Sequence, residues 1–400
     1  MAELIIFDDG KGRMGPLGDL RPVFALRSGG MLTYERIERA LGQFVSGWWV
    51  QPRHVDSWSA SNSRPVNTLP KGDVLLCVNG RWSGCGDLPV PASGEAILDG
   101  DGDVLVACLA PDEAQHLLET HDLPAGTKTQ EMQGLPVYQH AWDLLNWLSE
   151  TLADDLEAEP FSPNASNRAE CAGEHPVSID DSAVVFPGVV FDTHAGPIFI
   201  GPGVTIRPNA VLVGPCWVGG GSVISEGAVI RGHTVVGPDC RIGGEVGASI
   251  FQGFSNKVHD GYLGDSLVGS WVNLGADTVS SNLLNTYGEV SMRLEADGPR
   301  QRTGRMFLGA IIGDHAKTAI GTRLMTGTVL GTGAMIATTP PPPTTVSRFA
   351  WVTDDGIRTY QIDKFLDVAR RVMSRREQDL NDADEALLRS LHADSTANGD

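Results

Sequence analysis

From Ile200 onward an aliphatic side chain returns every six positions, at Ile200, Ile206, Leu212, Val218, Ile224, Ile230, Val236 and Ile242. Four positions after each stands a second small or β-branched residue: Val204, Ala210, Cys216, Ser222, Ala228, Thr234, Cys240 and Val246. Gly, Pro, Asn and Asp fill the places between. A helix repeats at 3.6 residues and a strand at 2, so a strict step of six fits neither as a single element. The spacing predicts a parallel β-helix. Each hexapeptide forms one flat face with its anchor pointing inward, and three hexapeptides, about 18 residues, close a triangular coil. The residues between anchors suit corners, because Gly allows positive φ and Asn and Asp tolerate it.

The same step runs earlier through Ile179, Val185 and Phe191, and Asp192–Pro197 shifts it by three. After Ile242 it breaks, resumes at Val268 and Leu274, and returns through Ile312, Thr318, Leu324, Leu330 and Ile336. Between these lies an excursion, Asn282–Phe307, carrying Arg293, Arg300, Arg302 and Arg305. It reads either as a solvated loop or as a lid over an anionic ligand.

Residues 1–160 alternate strand-like and helix-like pieces, which predicts an α/β domain. Leu4–Phe7 and Val74–Val78 read as buried strands, Thr33–Leu41 and Ala141–Leu156 as helices. Prolines and polar residues mark a linker over 161–176. The β-helix is expected over 177–338. A stiff proline spacer at Pro340–Pro343 follows, then one charged amphipathic helix over Gln361–His392 and a disordered tail from Ala393, together 339–400.

Net charge of −20 argues against a nucleic-acid partner, since neutralising phosphates supplies most of that affinity. A phosphorylated small molecule needs only a local cationic pocket and stays open. No apolar run approaches a membrane span and the first residues lack a basic leader, so neither a membrane partner nor export is expected. The six cysteines are scattered without metal-ligand spacing, and Cys216 and Cys240 fall in interior slots. This points to buried thiols, no metal site and a cytoplasmic protein.

The first strand runs into Asp8-Asp9-Gly10-Lys11-Gly12-Arg13, then Pro16-Leu17 and Arg21-Pro22-Val23. A strand leading into a Gly-rich, Arg-containing loop fits either backbone N–H groups cradling phosphate or a plain turn. Further on, His259-Asp260-Gly261-Tyr262-Leu263-Gly264-Asp265 leads to Asn273, and then Ala276-Asp277-Thr278 to Asn282.

On these motifs the chain resembles the bifunctional N-acetylglucosamine-1-phosphate uridyltransferase/glucosamine-1-phosphate acetyltransferase family, and within it a divergent branch of sugar nucleotidyltransferases. The resemblance implies a shortened nucleotidyltransferase-like α/β domain, then a left-handed parallel β-helix of hexapeptide repeats and a C-terminal α-helix. It makes Gly10, Gly12, Arg13 and Arg21 the nucleotide loop. The loop departs from the family pattern: Val23 stands where a Lys is expected, and Asn79 where a metal-binding Asp is expected. Arg21, Arg27 or Arg81 would have to replace the Lys. Mg²⁺ is implied only if this domain is active.

On the coils the resemblance makes His259 the general base, with His315 the second candidate, at a corner that includes Lys317. It gives Tyr262, Asn273, Asn282, Tyr287, Arg305 and Lys317 to the acceptor. Ala276 and Ala337 go to the acyl-CoA side. Glu245 matches an upstream acidic position. Gly247 falls where the family has a Lys, leaving Lys257 or an arginine of the excursion to meet the phosphate. The implied activity is transfer of an acetyl or similar acyl group from acetyl-CoA to a sugar phosphate or nucleotide-sugar, in a homotrimer whose sites lie between subunits. Two alternatives stand beside it. One is a sugar-1-phosphate nucleotidyltransferase that uses the coil for assembly. The other is a non-catalytic sugar-nucleotide-binding scaffold.

Overall fold

The computed structural model describes residues 2–159 and 169–397. The first half of the expected linker, including Pro163, lies outside the described residues, as do the last three residues of the expected tail. The chain divides into two compact units. The first holds residues 1–14, 20–26 and 31–143, and the second holds 15–19, 27–30 and 144–400.

The first unit is built on a six-stranded mixed sheet. Its strands lie in the order Gly47–Trp49, Glu3–Phe7, Leu75–Asn79, Val104–Leu109, Glu95–Leu98 and Lys128–Glu131. Glu3–Phe7 pairs in parallel with both neighbours and is apolar at four consecutive positions, as a strand covered on both faces must be. Leu4 and Ile6 join one buried cluster with Ile37 of the helix Thr33–Leu41. Ile5 and Phe7 join the other, with Leu117 and Leu118 of the helix Pro111–Thr120.

The second unit is the parallel β-helix. Three sheets run along it, and the longest face has nine strands, from Val177–Ile179 to Thr345–Val346. Ile206 pairs with Ile224 and Ile224 with Ile242, so each residue stacks on the one three hexads later. All eight anchors from Ile200 to Ile242, and the residues four after them, are fully buried. The corners are backbone-driven: Asn209, His233 and Asp239 have φ of 62°, 57° and 54°.

The break after Ile242 has a physical origin. Ile242 pairs with Lys257, so a lysine occupies the inward slot of the hexad. Ser249, Ser255 and Ser266 then follow as buried residues whose hydroxyls bond backbone groups of neighbouring coils. The next coil reopens at Leu267–Ser270, which pairs with Ala310–Ile312 across the excursion.

The boundaries differ from expectation at both ends. The coil opens at Glu170–Ala172 and continues to Ala350–Thr353, which pairs with Met335–Ala337. The proline run therefore connects coils inside the solenoid and is not a spacer beyond it. Residues 15–19 and 27–30 belong with the coil: Asp19 accepts from Thr332 Oγ1 at 2.6 Å and from Arg348 Nε at 2.9 Å. Ala141–Leu156 is two helices, Asp143–Asn146 and Leu148–Ala158. The C-terminal helix is also two, Ile362–Ser374 and Asp382–Ala397, separated by a turn in which Glu377 takes φ 55°. The first buries Phe365, Leu366, Ala369 and Met373, so its apolar face is spent within the chain. No helix among the described residues is long and apolar enough to cross a membrane.

Candidate functional site

The short strand Tyr262–Gly264 begins just after the corner that carries His259. His259 is exposed, and its carbonyl accepts from Lys257 Nζ at 3.0 Å. That ammonium also donates to Gly243 O at 2.9 Å. Burial holds the Lys257 pKa down to about 8, with Asp260 and Asp277 opposing. Lys257 thus ties the His259 corner to the coil below, and its charge faces carbonyls rather than a ligand phosphate. The expectation that it meets the acceptor phosphate is not what the structure shows.

At the far end of that strand four side chains converge. Asn282 Nδ2 donates to the Tyr262 hydroxyl at 3.0 Å and to Asp265 Oδ2 at 2.7 Å. Arg305 Nη2 reaches Asp265 Oδ1 at 3.3 Å, and Arg305 Nε donates to Phe307 O at 3.0 Å. The excursion leaves the coil at Asn282 and returns at Leu308, whose N–H donates to Asn282 O at 2.8 Å, which is why residues so far apart in sequence meet here. Burial, then the charges of Asp265 and Glu245, push the Tyr262 phenol up, so it stays protonated and can donate to a ligand. Glu245 lies beside Tyr262 in the parallel ladder and accepts from Arg231 Nε at 2.5 Å. Sequence reasoning placed Tyr262, Asn282 and Arg305 here but missed Asp265 as the group that joins them. The only signal was its place inside the His259–Asp265 motif.

The other named residues lie elsewhere on the coil. Asn273 bridges Asn256 on one side and Lys317 on the other, and Asn256 Oδ1 accepts from Arg376 at 2.8 Å. Lys317 Nζ donates to His315 O at 3.1 Å, and burial holds its pKa down to about 8. His315 is only 4% exposed. Its ring centroid lies 6.3 Å from that of Trp271 and 5.7 Å from that of Phe365, so the C-terminal helix covers it. Ala276 is half-buried and its carbonyl accepts from Gly321 N at 2.7 Å. Ala337 is exposed at a strand end, and Tyr287 is 69% exposed on the excursion.

In the first unit the loop carboxylates are satisfied internally. Asp8 Oδ1 accepts from Gly10 N at 2.9 Å and Asp8 Oδ2 from Val23 N at 3.1 Å, closing the loop on its own carboxylate. A side chain at Gly10, where φ is 71°, would strike Gln51 at 2.8 Å. Arg81 is fully buried and forks onto Asp9, with Nε at 3.0 Å and Nη2 at 2.7 Å, while Nη2 also meets Asp103 at 2.6 Å. Burial opposes the Asp9 charge, but the bonds from Arg81 and Asn79 outweigh it and hold the carboxyl below the usual range. Arg81 therefore cannot replace the missing phosphate-clamping Lys. Arg27 lies in the coil unit, where Gln252 bonds its backbone N–H and carbonyl.

Mg²⁺ does not fit the residues present. Asn79 Nδ2 donates to Asp9 and to Val104 O, its Oδ1 accepts from Arg81 N, and Asp103 is shared between Arg81 and Lys11. No three His, Cys, Asp or Glu side chains gather around a cation position among the described residues. A cleft of about 550 Å³ remains, lined by Lys11, Arg13, Asp101, Asp103, Gln139 and His140. Arg21 does not line it.

Residues 4–159 match the family described as sugar nucleotidyl transferase. The bifunctional protein GlmU of Methanococcus vannielii is 35% identical over 138 residues, 34% of this chain and 27% of that protein. The bifunctional sugar-1-phosphate nucleotidylyltransferase/acetyltransferase of Sulfurisphaera tokodaii is 34% identical over 108 residues, 26% of each chain. The chain thus resembles bifunctional proteins of this kind, with each match spanning about a quarter of the relative's length. The solved acetyltransferase domain of PglB from Neisseria gonorrhoeae aligns at 14% identity over 90% of this chain and 100% of that one. Its TM-score of 0.17 is too low to argue from.

Proposed function

We propose that the β-helix transfers an acetyl or similar acyl group from CoA to an amine or hydroxyl of a sugar phosphate or nucleotide-sugar. The observation that carries this reading is the Tyr262–Asn282–Asp265–Arg305 network, with the exposed His259 immediately ahead of Tyr262. The bifunctional relative of Sulfurisphaera tokodaii, whose name includes an acetyltransferase, supports it.

Acyl transfer needs a base for the attacking group, a positioned acceptor and relief for the leaving thiolate. His259 takes the proton from the acceptor amine or hydroxyl as it attacks the thioester carbon. When the tetrahedral adduct collapses, the C–S bond breaks and the imidazolium returns that proton to the CoA thiolate. The Tyr262 hydroxyl, already accepting from Asn282, donates its own proton to the acceptor and orients it. Asp265, shared by Asn282 and Arg305, fixes both partners and the root of the excursion.

The carrier and a homotrimer belong to the same reading. Val258, Val279, Ile320 and Met325 are 38%, 36%, 80% and 46% exposed on the coils, apolar side chains that a neighbouring subunit would cover. All six cysteines are unbridged, and five are buried, in keeping with a cytoplasmic protein.

The test is free-thiol release from acetyl-CoA with a panel of amino sugar phosphates. His259→Ala is expected to lose about 10²–10⁴-fold in rate while keeping its melting temperature, since the side chain is exposed. An unchanged rate would remove His259 from the chemistry. The family match of residues 4–159 favours a second reading, nucleotidyl transfer by the first unit. The buried Asp9–Arg81–Asp103 cluster weighs against it.

A further inference from the structure

We propose that the excursion and the coil beneath it form a second small-molecule site, one that binds a phosphate or pyrophosphate group. The excursion is a hairpin in which Ser291–Met292 pairs antiparallel with Gln301–Arg302. Val290 and Met292 are 1% and 2% exposed, and a Cβ added at Gly327 would meet Val290 at 3.0 Å, so the hairpin is packed down rather than free. Its tip is held as well, because Glu295 pairs with Arg348 at 3.2 Å.

Beneath it lies a pocket of about 380 Å³, lined by Arg293, Arg300, Ser291, Thr326, Thr344 and Thr345 with Met292 and Pro343. Two of the excursion's four arginines are neutralised elsewhere: Arg302 by Glu289, and Arg305 by Asp265. The other two turn to this pocket. Arg300 Nη2 is steadied by Ser291 O at 3.1 Å, and Arg293 makes no ion pair among the described residues. None of the lining residues carries a carboxylate, in a chain whose net charge is −20. Two guanidiniums over a floor of hydroxyls are the chemistry that recognises phosphate oxygens. Thr326 Oγ1 donates to Ser281 Oγ at 2.8 Å, which places the pocket one coil from Asn282.

Calorimetric titration of inorganic pyrophosphate into the full chain tests this without requiring turnover. Saturable binding is expected, at least tenfold weaker in the Arg293→Ala/Arg300→Ala double variant and unchanged in Arg302→Ala. Both pocket arginines are exposed, so folding should survive, and an unaltered melting temperature checks that it does. Repeating the titration with acetyl-CoA present separates two sources of the anion. Competition identifies a phosphate of the acyl carrier, and simultaneous binding identifies an independent phosphorylated ligand. No binding by the native chain, or equal binding by the double variant, would overturn the assignment.

Discussion

The two units handle buried charge in opposite ways. In the first, Arg81 sits at the centre of the sheet's end with both of its carboxylate partners, and its charge is matched inside the fold. In the second, the Asp265 carboxylate is shared between Asn282 and Arg305, and the chain of bonds ends at a Tyr262 hydroxyl that still has a proton to give. A closed ion cluster stabilises structure only. A chain of bonds with one open end can also orient a ligand, and that difference is why the proposed acyl chemistry is placed on the coil.

The largest effect that would sharpen this contrast is on stability. Arg81→Met leaves Asp9 and Asp103 without their shared cation, and breaking a buried pair from one side costs about 3–5 kcal/mol. Urea denaturation should show the first unit weakened by that order, with thiol release from the coil retained. Equal stability would mean the cluster is not what holds that end of the sheet.

A smaller effect is expected at the coil. Asn282→Ala removes two bonds, one to a charged partner, and should lower kcat/KM by roughly 10–100-fold, about 1.5–3 kcal/mol. A rate unchanged from the native chain would detach the network from the reaction.

The smallest effect concerns Lys257, whose folded pKa of about 8 lies below the ordinary lysine value. Below pH 8 both folded and unfolded states carry the charge, and the cost of burying it is fully present. Between about pH 8 and the ordinary lysine pKa the unfolded state binds more protons, so stability should rise with pH. The native chain should therefore gain on Lys257→Met across that window, as followed by denaturation at pH 7.5 and 9.5. A flat difference would show that the ammonium is not buried at a cost.

How much of this could be read from the sequence follows from what each feature depends on. The coil was legible because a narrow prism admits only compact side chains inward, and a strict step of six records that geometry directly. Reading failed where a polar group took an interior slot: Lys257 replaces an anchor, so the pattern appeared to stop when the coil had not. The proline run looked like a spacer because its continuation, Ala350–Thr353, is recognisable only by its pairing with Met335–Ala337. His259 and Tyr262 were legible as a local motif. The cover that Phe365 places over His315, and the lock of Asp9 and Asp103 on Arg81, were not. Both join residues distant in sequence through packing that no local spacing encodes.

The most direct test of the contrast runs two assays on one preparation of the intact chain. Thiol release from acetyl-CoA is followed with amino sugar phosphates, and pyrophosphate release from nucleoside triphosphates is followed with sugar-1-phosphates and Mg²⁺. Thiol release without pyrophosphate release is the predicted result. Pyrophosphate release that disappears in Arg13→Ala, with no thiol released under any acceptor, would contradict it.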